Sequence, residues 1–164
     1  RVQAASTPEI RLANPEDVGA VAELLGAFRD WFGKSQPTND EIRASVERIM
    51  SDGDGEYLLA LLGQRPVGVC QLRYRWSVWT SSPDCWLEDL FVVEEQRGTG
   101  LGRALVDAAL ERAREHGCGR IELDVNEQNE PALGLYQASG FELEWKPPGR
   151  SILMGRRLDG GGPR

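Results

Sequence analysis

Between residues 97 and 102 the chain reads Arg97-Gly98-Thr99-Gly100-Leu101-Gly102, ahead of a strongly amphipathic segment. Three alternating glycines behind an arginine exceed what a tight turn needs. Glycine lets a backbone come close to an anion, and the free N–H groups at a helix start point outward at it, so this loop suits a pyrophosphate. A dinucleotide fingerprint would need glycine at 103, where Arg103 stands, and an acidic ribose partner after a second parallel strand, which does not follow. Gly33-Lys34-Ser35 ends like a P-loop, but Phe28 takes the place of its first glycine, which removes nucleotide hydrolysis. Cys70, Cys85 and Cys118 match no disulfide framework, zinc ribbon or redox pair and read as small buried apolar groups. His116, the one histidine, stands beside Gly117 where a helix C-terminus favours a cation, so its expected role is structural, and no metal site is expected. The remaining chemistry lies in two neighbouring carboxylates, Glu88 and Asp89, inside an otherwise apolar strand.

These groups must be positioned by ordinary elements. Asn14-Pro15-Glu16-Asp17 reads as a capped helix start, and Val18, Val21, Ala22, Leu25 and Phe28 continue it at helical spacing to about residue 30. Thr38 or Asn39 caps a second helix with the stripe Ile42, Val46, Ile49 and Met50. Tyr57–Leu62 and Val67–Tyr74 form a hairpin around Gly63-Gln64-Arg65-Pro66, and Trp86–Val93 is a third strand. From Gly100, Leu101, Leu105, Val106, Ala109, Leu110 and Ala113 mark a helix ending at His116-Gly117. Ile121–Val125 is a short strand, Pro131–Ser139 a helix, and Phe141–Trp145 with Ser151–Arg157 a last strand pair. With a strand at 10–13, the order β, α, α, β, β, β, α, β, α, β, β is that of an α/β chain (α and β mixed), a mixed sheet with helices on both faces.

A length of 164 residues suits one domain, expected over 9–158 with a disordered tail at 159–164. With 19 basic and 26 acidic side chains the net charge is −7, which repels phosphate backbones and favours cationic partners; nucleic acid is not an expected ligand. No run of apolar residues is long enough for a membrane span, and Arg1–Pro8 lacks the apolar core of a signal peptide. The expectation is a cytoplasmic protein without membrane partners.

Leu87-Glu88-Asp89-Leu90-Phe91-Val92-Val93, then Arg97-x-x-Gly100-x-Gly102, then Asn129-x-x-Ala132-x-x-x-Tyr136-x-x-x-Gly140-Phe141 together resemble the GNAT N-acetyltransferases over residues 9 to 158, and Asn129-Glu130-Pro131 with the Leu-Glu-Asp strand resembles the diamine N-acetyltransferases locally. The resemblance implies a mostly antiparallel, six- to seven-stranded mixed sheet whose strands near 86–93 and 119–125 splay into a V. It implies acetyl-CoA as donor in the gap. The main chain of Leu90, Phe91 and Val92 would pair with the pantetheine arm and polarise the thioester. Arg97, Gly98, Thr99, Gly100, Leu101, Gly102 and Arg103 would hold the pyrophosphate. Asn129 and Ala132 would flank the sulfur, and Tyr136 would bring its phenol near it. Members of the family often dimerise, so a homodimer is expected.

An amine attacks a thioester only as the free base, so an ammonium acceptor must give a proton to a carboxylate. Side chains alternate along a strand, so only one of Glu88 and Asp89 easily faces the acceptor. Glu88 is the favoured base, with Asp89 beside it in acceptor binding. Tyr136, with a phenol near pKa 10 facing a thiolate near 8.5, can return a proton for about 2 kcal/mol. Trp31, Phe32, Tyr74, Trp76, Trp79 and Trp86 fall in the segments the family uses for acceptors and suit an organic ammonium. The expected activity is direct acetyl transfer, in a ternary complex, to a primary amine of a small cationic acceptor. The alternatives are acetylation of a protein N-terminus or lysine, and a non-catalytic acyl-CoA-binding module.

Overall fold

The computed structural model describes residues 7–53, 55–143, 148–149 and 152–159. They fall into two compact units, 1–124 and 125–164. In the first, β1 (Pro8–Leu12), β2 (Gly55–Leu62), β3 (Arg65–Ser77), β4 (Ser82–Val92) and β5 (Arg120–Glu122) form one sheet in the order β1-β2-β3-β4-β5. The first four strands are antiparallel neighbours and β5 joins β4 in parallel. A parallel neighbour needs a crossover, and α3 (Leu101–Glu115) supplies it.

Two helices precede β2. A single 3₁₀ turn, Pro15–Asp17, leads into α1 (Val18–Trp31). Asn14 Oδ1 accepts from Glu16 N at 2.9 Å and Asp17 Oδ2 from Asn14 N at 2.8 Å, while Arg11 of β1 grips Asp17 through two bonds of 2.7 and 2.9 Å. That grip holds the Asp17 carboxyl below the usual range and fixes where the helix leaves the sheet. The start of α2 (Asn39–Asp52) is a reciprocal box: Thr38 Oγ1 accepts from Glu41 N and Glu41 Oε2 accepts from Thr38 N.

Residues in direct register share a face. Leu59, Val69 and Phe91 are one such row, and they pack with Tyr57 beneath Val18, Val21 and Leu24 of α1 and Ile42 and Val46 of α2. On the opposite face α3 buries Leu101, Leu105, Val106, Ala109 and Ala113, as its spacing predicts. Gly68 is the point of closest approach: a Cβ there would stand 3.0 Å from Leu105 Cδ1 and 3.2 Å from Ala60 Cβ. Each fully buried leucine of this core contributes roughly 2–3 kcal/mol of transfer free energy.

The second unit contains α4 (Glu130–Ala138), opened by Asn129, whose Oδ1 accepts from Ala132 N at 3.3 Å, and by Pro131 in its first turn.

Three expectations need correction. The strands expected at 67–74 and 86–93 are longer than the apolar pattern suggests and form a second hairpin: β3 continues to Ser77 and β4 begins at Ser82, because each strand satisfies the other's main chain there whatever its side chains. The strand expected at 121–125 has only three residues, Arg120–Glu122. The last strand pair is not seen among the described residues: Phe141–Leu143 and 152–157 carry no strand, and 144–147, 150 and 151 lie outside the description. An alternating pattern such as Ile152/Met154 makes a strand only against a neighbour. The described residues therefore give five strands, not six or seven. Of the expected tail, 160–164 also lies outside the description.

Candidate active site

The site begins at an irregularity in β4. Gln71 faces Asp89 and Leu72 faces Leu87, so Glu88 is the extra residue of a β-bulge. A bulge interrupts the ladder and re-aims the side chains around it, and the simple alternation expected for Glu88 and Asp89 does not hold at this point. The registers on the α1/α2 face run, row by row, Leu59–Val69–Phe91, then Tyr57–Gln71–Asp89, then Gly55–Arg73–Trp86–Glu122, then Arg75–Asp84–Arg120. This face turns from apolar to polar along β4, and the change falls at the bulge.

The edge of β4 opens at the same place. Its ladder to β5 covers only Asp84–Trp86 against Arg120–Glu122, fastened by the Arg120–Asp84 ion pair at 2.6 Å, with Asp84 only 3% exposed. From Leu87 to Val92 the strand continues with no β5 partner. This is the splay expected between 86–93 and 119–125. The main chain of Leu90 and Phe91 lies in the opened stretch. The Val92 carbonyl has a partner already, accepting from Arg97 Nε at 3.1 Å.

Asp89 is half-buried and Glu88 exposed. Burial first, then the charges of Glu88 and Asp124, push the Asp89 carboxyl up to about 6. Among the described residues no cationic side chain lies within ion-pair distance of it. A half-buried carboxylate with like charges around it is the pattern of an acid–base group.

The glycine loop follows β4 after one 3₁₀ turn, Glu94–Gln96. Gly98 and Gly100 have φ of 74° and 91°, and a Cβ on either would meet nothing within 4 Å. The glycines are thus required by backbone conformation, and the space beside them is open. Gly100 opens α3, and Ala104 N closes the first helical bond to its carbonyl at 3.0 Å, so the N–H groups of Leu101, Gly102 and Arg103 precede the helical ladder. Thr99 Oγ1 donates to Gln96 O at 2.6 Å, bracing the loop. Arg103 pairs with Asp107 one turn on.

Arg97 also lies 5.0 Å from the Trp31 ring and 5.6 Å from Phe91, and Phe28 stacks on Phe91 at 5.1 Å and touches Phe32 at 4.8 Å. The six aromatic residues expected to serve acceptors therefore separate. Trp31 and Phe32 join Phe28 and Phe91, Trp86 sits in the Arg73 row, and Trp76 and Trp79 are exposed on the hairpin. Tyr74 belongs to the other face, bonded to Glu56 and stacked on His116 at 3.9 Å, which gives His116 the structural role expected of it. Cys70 and Cys85 are buried and Cys118 partly so, all free, with burial pushing their thiols up.

In the second unit, Asn129 uses its side chain to cap α4 against Ala132. Tyr136 is buried, with its ring edge-on to Phe141 at 5.8 Å. Sequence reading does not single out Tyr57 and Gln71, which share a row with Asp89; the available signal is a glutamine within the buried run 67–72 of β3. Among the described residues no group of three His, Cys, Asp or Glu could hold a metal, and no helix is long and apolar enough to cross a membrane.

The chain is 29% identical to the thialysine N-epsilon-acetyltransferase of Bos taurus, covering 81% of this chain and 83% of that protein. It is 32% identical to the aminoglycoside N(6')-acetyltransferase type 1 of Stenotrophomonas maltophilia, covering 84% and 88%. An acetyltransferase-like crystal structure from Arthrobacter sp. FB24 matches with TM-score 0.82 at 31% identity, over 95% of this chain and 99% of that one. Residues 21–141 match the Acetyltransferase (GNAT) family, and with the bulged, splayed β4 and its glycine loop in place, the chain belongs to that family of N-acetyltransferases.

Proposed function

We propose that this N-acetyltransferase moves the acetyl group of acetyl-CoA to a primary amine of a small, cationic acceptor by direct attack. The observation that carries the reading is β4 itself, which bulges at Glu88 beside a carboxyl raised to about 6 and then runs without a β5 partner into the glycine loop. Supporting it are the net charge of −7 and the relatives named for thialysine and aminoglycosides, both amines.

The residues fit the donor. The open edge offers the main-chain groups of Leu90 to an amide-bearing arm, while Phe91 pairs with Val69 in the ladder and the Val92 carbonyl is held by Arg97. Gly98 to Arg103 offer N–H groups and open space to a pyrophosphate. When bound, acetyl-CoA supplies the activated thioester carbonyl.

The acceptor arrives as an ammonium. Asp89 takes its proton, since a group near 6 is largely ionised at neutral pH yet basic enough to accept. The sequence reading favoured Glu88 for this step; exposed on the bulge, Glu88 is suited to attracting the cation and to keeping Asp89 basic through its charge. The amine nitrogen bonds to the thioester carbon, the carbon–sulfur bond breaks, and the thiolate takes a proton, which the family likeness assigns to Tyr136, with Asn129 and Ala132 at the sulfur end. The reading extends to a single catalytic domain over 9–158 and to a cytoplasmic homodimer, supported by the family's habit and by the three free cysteines.

Thiol release from acetyl-CoA across spermidine, thialysine, an aminoglycoside and an anionic amino acid tests this. Release with the cationic amines and little with the anionic one is expected; no release with any amine, or fastest release with the anionic one, overturns it.

A further inference from the structure

Two residues beside Asp89 are buried by their stems while their polar tips bond nothing in the protein among the described residues. Tyr57 is 1% and Gln71 4% exposed, and they stand in direct register with each other and with Asp89, across three adjacent strands about 4.8 Å apart. Among the described residues neither side chain makes a hydrogen bond, whereas the buried Asp84 further along β4 is bonded to Arg120 at 2.7 Å. A polar tip that bonds no protein group yet still reaches solvent is free to bond a ligand. No side-chain nitrogen or oxygen of the described residues is both sealed from solvent and unbonded. The stems of Tyr57 and Gln71 are therefore buried while their polar tips still reach solvent. Burial above all, then the charge of Asp89, push the Tyr57 phenol up to about 12; its hydroxyl keeps its proton and lies within Coulombic reach of Asp89.

We propose that Tyr57 and Gln71 are acceptor-binding residues that form, with Asp89, a three-point seat for a primary amine. The proposal rests on the amine-acceptor reading above. A primary ammonium has three N–H donors, and the row presents three acceptors: the Tyr57 hydroxyl oxygen, the Gln71 side-chain carbonyl oxygen and the Asp89 carboxylate. When Asp89 takes one proton, two N–H bonds to Tyr57 and Gln71 keep the nitrogen in place. The freed electron pair is then available to form the bond to the thioester carbon. A tertiary ammonium, with one N–H, satisfies only one of the three, so the seat selects primary amines. The apolar row Leu59–Val69–Phe91 next to it offers the same amine nothing.

The test is thiol-release kinetics with acetyl-CoA and spermidine or thialysine on Tyr57→Phe and Gln71→Met, with thermal unfolding of each variant. Acceptor KM is expected to rise about tenfold or more in each, as for a lost hydrogen bond to a charged ligand, with the KM for acetyl-CoA unchanged. Tm should stay or rise, because an unbonded polar tip is being replaced by an apolar one. An unchanged acceptor KM in the folded variants, or a fall in Tm without a change in KM, overturns the assignment. If Gln71→Met does not fold, Tyr57→Phe, which removes one oxygen and keeps the ring, decides alone. A wild-type protein inert toward every amine overturns the amine-acceptor reading instead.

Discussion

The sheet holds a half-buried carboxylate on each face, and the two live in opposite surroundings. Glu56, on the α3 side, accepts from Arg112 Nε at 2.8 Å, Arg112 Nη2 at 2.9 Å and Tyr74 OH at 2.7 Å. Burial alone would raise it, but these bonds outweigh burial and hold it below its usual value. Asp89, on the α1/α2 side, has burial and two neighbouring negative charges and is pushed up to about 6. Similar chemistry and depth thus give a fastener in one place and a proton acceptor in the other. The difference lies in whether a cation was built beside the carboxylate.

The largest expected effect tests that division. Asp89→Asn should lower kcat/KM at neutral pH by about 10²–10⁴-fold, the usual cost of removing a general base, while leaving Tm unchanged or higher because like charges are relieved. Full activity in steady-state assays would remove Asp89 from the mechanism. Next, Arg112→Met should lower unfolding stability by about 2–3 kcal/mol in urea titrations, somewhat under the cost of orphaning a fully buried charge, since Glu56 keeps some solvent. Activity of the folded fraction should persist; a catalytic loss without destabilisation would break the comparison.

The pH dependence should run in opposite senses. Glu56 is lowered in the fold, so its contribution is present above its unfolded value and fades as pH falls through the lower folded one. Asp89 is raised, so its contribution is present below about 3.8 and is lost as pH rises toward 6. Over that interval, at about 1.4 kcal/mol per pH unit, ionising Asp89 costs the fold roughly 3 kcal/mol. Urea titrations of Asp89→Asn between pH 4 and 7 should show that loss removed, while Glu56→Gln should flatten the acid limb instead. The activity of the wild type should fall as pH drops through about 6.

The smallest effect concerns Glu88. Being exposed, its charge should change kcat/KM less than tenfold in Glu88→Gln, and the difference should shrink with added salt. Its direction is informative. Glu88 raises Asp89, so removing it should move the rising limb of the pH profile downward; an upward move would hand the base to Glu88.

Much of this was legible in residue types. The helical spacing of Leu101 to Ala113, the caps at Asn14 and Thr38 and the loop glycines are set by local conformation, and they stand where the pattern puts them. The bulge was not legible, because whether Glu88 or Asp89 is the extra residue depends on which residue of β3 each one meets. Nor was the pairing of Glu56 with Arg112, 56 positions away. Tyr57 and Gln71 looked like ordinary strand residues because their significance is a missing partner, and only the packed sheet shows who the partners are. The long hairpin was hidden by Arg75 and Trp76, whose main chain pairs although their side chains do not alternate.

The unpartnered run of β4 also bears on solubility. A strand with free main-chain groups along one side is a template for a strand from another molecule, the first step of edge-to-edge aggregation. Here the bulge at Glu88 breaks the regular spacing such a strand would need, its exposed charge stands in the way, and Arg97 occupies the Val92 carbonyl at the far end. The opening that remains is short and irregular, wide enough for a slender arm and unfit for growth by strand addition.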